Sequence, residues 1–185
     1  MNPFNHQSSV QKNDEWLTPP EIIKALGEFD LDPCSPINRP WNTAKKHFTI
    51  EDNGFLQEWE GRVWLNPPYG QYTEKWLSRM ASHNNGIVLT FARVDTNWFH
   101  EWIFRCATGI LFLKGRPHFY LADGTMYKNN SGAPVCLAAF GDENFDALNR
   151  SGLAGKLVRL KECSDCNDLR VEVERCYAAL QFKIR

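Results

Sequence analysis

The sequence predicts an α/β fold in which a sheet of buried strands is flanked by helices. Continuous apolar runs at 87–92, 110–113 and 135–140 are typical of strands buried on both faces of a sheet. The stretch 72–83 instead places apolar residues on one helical face, and Asn84-Asn85-Gly86 ends that helix. We therefore expect helices packed on a central sheet.

Length and composition define the class of protein. With 185 residues, 43% of them hydrophobic, the chain favours one domain with a packed core. We expect a flexible arm at 1–13, the main domain at 14–141, and an extension at 142–185 packed on it. A net charge of −1 argues against coating nucleic acid by bulk charge but allows a local basic patch. No membrane span or signal peptide is visible, so we expect a cytoplasmic protein without an obligate protein partner.

The six cysteines predict reduced thiols. Cys106 and Cys136 lie in apolar stretches, where cysteine behaves as a small hydrophobic residue. Cys163 and Cys166 have the spacing of zinc ligands, and Cys176 offers a third, but a structural zinc site needs four. We therefore predict no metal site, with a zinc-containing interaction protein as the weaker alternative.

The most informative stretch is the turn Asn66-Pro67-Pro68-Tyr69, which follows the apolar 63–65 run. A buried strand that stops at such a turn before a helix marks the carboxyl edge of a sheet, where open α/β folds bind ligands. The prolines remove two N–H donors and leave carbonyl oxygens, Asn66 adds an acceptor, and Tyr69 offers a flat ring. These groups together suit the binding of a planar ring that carries an amino group. The alternative is a proline-rich loop whose stiffness is purely structural.

This turn resembles the Asn/Asp-Pro-Pro-Tyr signature of amino-methyltransferases that use S-adenosyl-L-methionine. The resemblance implies that the Asn66 side chain and the Pro67 carbonyl accept hydrogen bonds from an adenine amino group. It also implies that Tyr69 stacks on the base and that Asn66 lies against the cofactor. The candidate catalytic residues are therefore Asn66, Pro67, Pro68 and Tyr69.

The segment from Trp16 to Glu21 has two interpretations. Thr18 followed by Pro19, with Glu21 three residues on, has the arrangement of a helix N-cap with a capping box. The same segment resembles the Thr-Pro-Pro entry segment of adenine methyltransferases. That resemblance implies that Thr18 and Pro19 line the methionine end of the cofactor and that Trp16 covers it.

A short strand is predicted at 29–32, ending in the turn Asp32-Pro33-Cys34-Ser35. By the resemblance this turn is the cofactor loop. Asp32 would accept from the cofactor's ammonium or ribose hydroxyls, and the alternative is a structural cap. The usual Gly-x-Gly is missing, which argues against a phosphate-binding dinucleotide loop.

The span between this turn and Asn66 is short. We expect a loop at 37–47 and a cofactor half that lacks a full second strand and helix. Asp52, placed before Phe55, Leu56 and Trp59, resembles the acidic element that contacts the cofactor's adenine in such enzymes.

Candidate DNA contacts follow the next two strands. Arg93, Thr96 and Trp98 come after the 87–92 run, where Thr96 or Asn97 would cap a helix. Arg93 would meet a phosphate or pair with Asp95. Lys114 and Arg116, interleaved with aromatic residues, suit a flipped base and its flanking phosphates. Lys128 lies in 123–134, the segment we expect to be a mobile DNA-facing loop.

Five motifs occur in order over residues 14–141: Trp-x-Thr-Pro, Leu-Asp-x-Cys, Asn-Pro-Pro-Tyr, Asp-Thr-x-Trp-Phe and Phe-x-Lys-Gly-Arg. This succession resembles the compact adenine-N6 DNA methyltransferases of bacteriophages and prophages, the Dam-type family. It implies a Rossmann-like methyltransferase sheet, S-adenosyl-L-methionine as cofactor, double-stranded DNA as partner and a bacterial host cytoplasm. Cytosine-N4 or protein-glutamine methylation, or a non-catalytic DNA-binding or anti-restriction module, are the alternatives.

The C-terminal segment carries weaker signals. Residues 145–149 are typical of a helix, 157–160 of an edge strand, and 167–183 of a helix with one packing face.

Overall fold

A computed structural model describes residues 16–160 and, further on, only Val171 and Val173, both helical. The predicted arm at 1–13, the three zinc-spaced cysteines and the rest of the predicted helix at 167–183 lie outside the described residues. Within the described part of the chain, no helix is long and apolar enough to cross a membrane.

Seven strands form one mixed sheet in the order β2-β1-β3-β4-β6-β5-β7. They are β1 (Leu31–Asp32), β2 (Lys46–His47), β3 (Val63–Leu65), β4 (Gly86–Phe91), β5 (Gly109–Leu113), β6 (Val135–Phe140) and β7 (Gly155–Arg159). Strands β2, β1, β3 and β4 run parallel to one another, whereas β6 is antiparallel to both β4 and β5. The predicted α/β sheet is confirmed and is compatible with a Rossmann-like methyltransferase fold.

Helices cover both faces of this sheet. One face carries α2 (Thr73–His83) and a π-helix (Phe99–Phe104), whose Leu77 and Ile103 pack with Val88 of β4. The opposite face carries α1 (Pro20–Leu26) and α3 (Asp142–Arg150), which pack on residues such as Trp64. The apolar runs form strands because side chains on both faces are buried against these helices.

The first part of the predicted C-terminal extension packs on the same sheet. The helix predicted at 145–149 is α3, and the predicted edge strand is β7, which pairs only with β5 among the described strands. The domain boundary at residue 141 stays a prediction.

Two predicted helix caps are wrong. Helix α1 begins at Pro20 with Pro19 at the cap position, and Thr18 makes no capping bond because it lies one residue before that position. The π-helix begins at Phe99 with Trp98 at its cap, and the Thr96 hydroxyl donates to the Arg93 carbonyl at 2.8 Å instead.

The segment between β1 and β3 is short, as expected. Between β1 and β3 the chain forms only the two-residue β2, at the end of the predicted 37–47 loop, and no helix. From β1 the chain passes to β2 on one side, whereas from β3 it passes to β4 on the other. The carboxyl ends of β1 and β3 therefore flank a topological switch point, the usual ligand crevice of such sheets.

Candidate functional site

A cavity of about 270 Å³ opens at this switch point. All four candidate catalytic residues line it, together with most of the candidate cofactor residues: Trp16, Thr18, Asp32, Pro33, Cys34 and Ser35. Pro19 and Asp52 do not line it. The structure therefore brings the Asn66–Tyr69 turn and the Asp32–Ser35 turn to one cavity.

The Asn66 side chain is oriented by a hydrogen bond across the cavity wall. Its Nδ2 donates to the Trp16 carbonyl at 3.0 Å. Its Oδ1 is buried and accepts from no described residue. A buried acceptor without a donor is costly, and such groups in native structures call for an explanation such as an absent ligand. The unpartnered oxygen therefore marks a place where a donor is missing.

Two carbonyls of the same turn accept hydrogen bonds from neighbouring side chains, whereas the third accepts none from the described residues. The Cys34 thiol donates to the Asn66 carbonyl at 3.0 Å, and the Thr73 hydroxyl donates to the Pro68 carbonyl at 2.9 Å. The Pro67 carbonyl receives no donor from the part of the chain described here, although Pro67 is buried. Burial raises the pKa of the Cys34 thiol, which keeps it protonated and able to donate. The turn thus presents two free acceptors, Asn66 Oδ1 and the Pro67 carbonyl.

Tyr69 forms a flat platform beside these acceptors. Its ring stacks on Phe91, the last residue of β4, with 4.1 Å between centroids and 16° between planes. The residue nevertheless exposes 36% of its surface. Desolvation at the hydroxyl raises the pKa of Tyr69, so the phenol stays neutral. A second flat ring could therefore stack on an aromatic that is already held in place.

Asp32 is a buried carboxylate at the end of β1. It accepts from the Cys34 backbone N–H at 3.1 Å and from the Thr43 hydroxyl. Burial raises the pKa of Asp32 to about 6, although these hydrogen bonds and the positive charge of Arg39 act in the opposite direction. The cavity therefore holds a buried carboxylate whose ionised form would be stabilised by a cation or a hydrogen-bond donor on a ligand.

Several cavity residues were missed by the sequence analysis. The predicted 37–47 loop contributes Arg39, Trp41 and Thr43, and the following segment contributes Thr49, Ile50, Asn53 and Gly54. Three lining atoms besides Asn66 Oδ1 are buried without a partner: Thr18 Oγ1, Arg39 Nε and Trp41 Nε1. The sequence signal that could have pointed to this part of the cavity was the cationic Arg39 and the indole of Trp41 in the loop after the Asp32 turn. Among the described residues no group of three or more histidine, cysteine or acidic side chains could hold a metal.

Asp52 stabilises a turn next to the cavity. Its carboxylate accepts from the Thr49 backbone N–H at 2.8 Å and from the Thr49 hydroxyl at 2.9 Å, which lowers its pKa. The segment it closes reaches the cavity through Thr49 and Gly54 rather than through the carboxylate.

Gly54 is where this segment meets the Asp32 turn most closely. A methyl group at Gly54 would overlap the Pro33 carbonyl and crowd the Phe48 side chain. We predict that Gly54→Ala displaces the cavity wall and weakens the binding of S-adenosylhomocysteine, an analogue of the cofactor that the resemblance implies, by about tenfold or more, measured by calorimetry. Gly132→Ala is the matched control, because a methyl group there meets nothing. Unchanged binding in Gly54→Ala would mean that this wall is not part of the site.

The candidate DNA residues lie outside the cavity. Arg93, Lys114, Arg116 and Lys128 are exposed, whereas Thr96 and Trp98 are half-buried. Arg93 forms no described ion pair with Asp95; its guanidinium lies 5.9 Å from the Phe91 ring centroid. The exposed cations follow β4 and β5, on the same edge of the sheet as the cavity.

The segment expected to be a mobile DNA-facing loop makes defined contacts. Leu17 pairs with Tyr120 through backbone bonds of 2.8 and 3.0 Å, and Tyr120 bridges Met126. Tyr127 packs edge-on against Trp16 with 5.0 Å between ring centroids. This hairpin therefore supports the Trp16 wall, and only its exposed positions such as Lys128 face outward.

A mixed sheet with a cavity at the switch point of its parallel strands, lined by an Asn-Pro-Pro-Tyr turn, is compatible with a Rossmann-like methyltransferase fold. A family model described as DNA N-6-adenine-methyltransferase (Dam) matches residues 5–154, and the chain belongs to this family. It is therefore a methyltransferase of the DNA adenine-N6 class. No match was found among curated proteins or among solved structures.

Proposed function

We propose that this chain transfers a methyl group from S-adenosyl-L-methionine to the exocyclic amine of an adenine flipped out of double-stranded DNA. One observation carries the proposal. Asn66 Oδ1 and the Pro67 carbonyl are consecutive acceptors without donors, in a cavity shared with the Asp32 turn. An exocyclic amine has two N–H donors, which these two oxygens would satisfy.

The cavity fits the proposed cofactor. Its unpartnered atoms, besides the Asn66 oxygen assigned to the amine, include donors at Arg39 and Trp41 and a hydroxyl at Thr18, beside the Asp32 carboxylate. S-adenosyl-L-methionine carries an ammonium, a carboxylate and ribose hydroxyls, and it has no phosphate that would require a glycine-rich cradle. Asp32 would accept from the ammonium or a ribose hydroxyl, between walls formed by Trp16 and Pro33. When bound, the cofactor supplies an electrophilic methyl group on its sulfonium.

The protein's contribution is alignment of the amine. The lone pair of an adenine amine is delocalised into the ring, so the nitrogen is a poor nucleophile. Hydrogen bonds to Asn66 Oδ1 and the Pro67 carbonyl favour a pyramidal nitrogen that gains positive charge, and so they strengthen in the transition state. The same oxygens hold the two amine protons, one of which leaves after attack. No strong general base is required.

A base inside a duplex cannot reach this cavity, so the mechanism requires extrusion. We predict that Tyr69→Ala weakens target-base capture about 10- to 100-fold, because a stacked base contributes about 1–3 kcal/mol. Tyr69→Phe is the control and should stay within about threefold of wild type, since it keeps the ring on Phe91. The measurement is the fluorescence of 2-aminopurine at the target position. Equal signals from both variants would remove the stacking role.

DNA would lie across the carboxyl edge of the sheet. Arg93, Lys114, Arg116 and Lys128 are exposed there and suit backbone phosphates. Thr96 and Trp98 would contribute by holding the loop that carries Arg93.

The decisive experiment is mass spectrometry of nucleosides from host DNA with and without expression of the protein. N6-methyladenine that appears only on expression supports the proposal. N4-methylcytosine would assign the same acceptors to another amine, and no modified base in DNA would point to a protein-glutamine substrate or a non-catalytic module.

A further inference from the structure

The cavity holds two opposite charges, on Asp32 and Arg39, that do not pair with each other. The Asp32 carboxylate is engaged by Thr43 and Cys34, whereas Arg39 Nη1 donates to the Pro36 carbonyl at 3.1 Å. None of the described ion pairs joins Asp32 to Arg39. Both side chains line the cavity. The site therefore presents a separated anion and cation to whatever occupies it.

Arg39 has donor capacity left over in a fixed position. Its Nη1 bond to Pro36 anchors the guanidinium, while its Nε is buried without a partner. The indole Nε1 of Trp41, two residues on, is also buried without a partner and lines the same cavity. Both groups can only donate. A ligand group that satisfied both would be an acceptor, and the charge of Arg39 favours an anion.

The neighbouring groups leave that charge pattern unchanged near neutral pH. The Cys34 thiol is protonated, because burial raises its pKa. Desolvation and the charge of Arg39 lower the pKa of His47 to about 4, and its Nε2 accepts from the Thr43 and Ala44 backbone N–H groups at 3.3 Å. One negative and one positive charge therefore face the cavity.

We propose that Arg39 and Trp41 bind the carboxylate of a zwitterionic amino acid whose ammonium is met by Asp32. This rests on the proposed function, because the amino-acid end of S-adenosyl-L-methionine is such a zwitterion. It assigns Arg39 and Trp41 as the residues that distinguish the intact cofactor from analogues without a carboxylate.

The test compares two ligands by titration calorimetry. S-adenosylhomocysteine carries the amino-acid end, and 5′-methylthioadenosine shares its adenosine and thioether but lacks that end. Wild type should prefer the first ligand. Arg39→Gln should weaken it about 10- to 100-fold and leave 5′-methylthioadenosine unchanged. Arg39→Lys should lie between the two, and Arg150→Gln, an exposed position on α3 outside the cavity, should match wild type.

The outcomes separate this inference from the function it rests on. If Arg39→Gln weakened both ligands equally, or neither, the carboxylate role would be overturned while methyl transfer stood. If wild type bound neither ligand, the proposed cofactor would fail instead. Thermal melting of each variant excludes misfolding, and Trp41→Phe gives an independent test, since loss of its N–H should also affect S-adenosylhomocysteine alone.

Discussion

Asn66→Ala should slow methyl transfer by about 10²- to 10³-fold while the protein still folds and binds cofactor. The substitution removes the unpartnered Oδ1 that would accept from the amine, and removal of one such transition-state contact costs about 10²- to 10³-fold in rate. It also removes the Nδ2 bond to the Trp16 carbonyl, so cofactor affinity should fall only severalfold. Single-turnover transfer of a labelled methyl group to DNA measures the first effect, and calorimetry measures the second.

Two controls separate chemistry from structure. Asn66→Asp keeps an acceptor, although it replaces the donor to the Trp16 carbonyl with a carboxylate oxygen, so it should retain far more activity than Asn66→Ala. Asn84 also has a buried unpartnered Oδ1, but it ends α2 in a left-handed conformation with φ 53° and does not line the cavity. Asn84→Gly should therefore keep wild-type turnover. Normal turnover in Asn66→Ala would remove the proposed role of the turn.

Asp32→Asn should weaken cofactor binding about 10- to 100-fold, because a charged acceptor for the ammonium or ribose becomes a neutral one. The same change should stabilise the free protein at pH 8. Burial raises the pKa of Asp32 from 3.8 to about 6, which corresponds to about 3 kcal/mol against folding with the group ionised. The Asn amide can keep both local bonds, since the Thr43 hydroxyl can reverse its role. Chemical denaturation and calorimetry measure the two effects.

The stability of the free protein and its affinity for the cofactor should both depend on pH through Asp32. Because the folded pKa of Asp32 lies above its ordinary value, its contribution to stability is lost as pH rises from about 4 to 6. His47 acts oppositely, since its folded pKa of about 4 lies below its ordinary value. Cofactor affinity should nevertheless decline below about pH 6 as Asp32 protonates, because the ligand then loses its charged acceptor, whereas His47, with a pKa of about 4, stays neutral. A flat profile in wild type, or the same decline in Asp32→Asn, would contradict this role.

The sequence predicted the parts of the fold that follow hydrophobic periodicity. The runs that became β4, β5 and β6 are apolar except for Thr90 in β4, as suits a sheet with helices on both faces. The strand before Asn66 was predictable for the same reason. Helix starts were predicted less well. Thr18 has the sequence of an N-cap, but cavity packing buries its hydroxyl and the helix begins at Pro20.

The candidate site was predicted where motifs are local and missed where long-range contacts build it. No sequence pattern links Cys34 to Asn66, yet the hydrogen bond from the Cys34 thiol to the Asn66 carbonyl joins the two turns of the site. The usual Gly-x-Gly is absent from the first of these turns. Gly54 and Arg39 lie in stretches without periodicity, and their roles depend on contact with Pro33 and on the cavity respectively. Such contacts depend on tertiary approach, which periodicity does not encode.

The most direct measurement is a crystal structure of the protein with S-adenosylhomocysteine and a DNA duplex that carries its mapped methylation site. We predict the target adenine outside the helix on Tyr69, with its exocyclic nitrogen about 3 Å from Asn66 Oδ1 and from the Pro67 carbonyl. An adenine that remains stacked in the duplex, or an amine bound away from these two oxygens, would contradict the account.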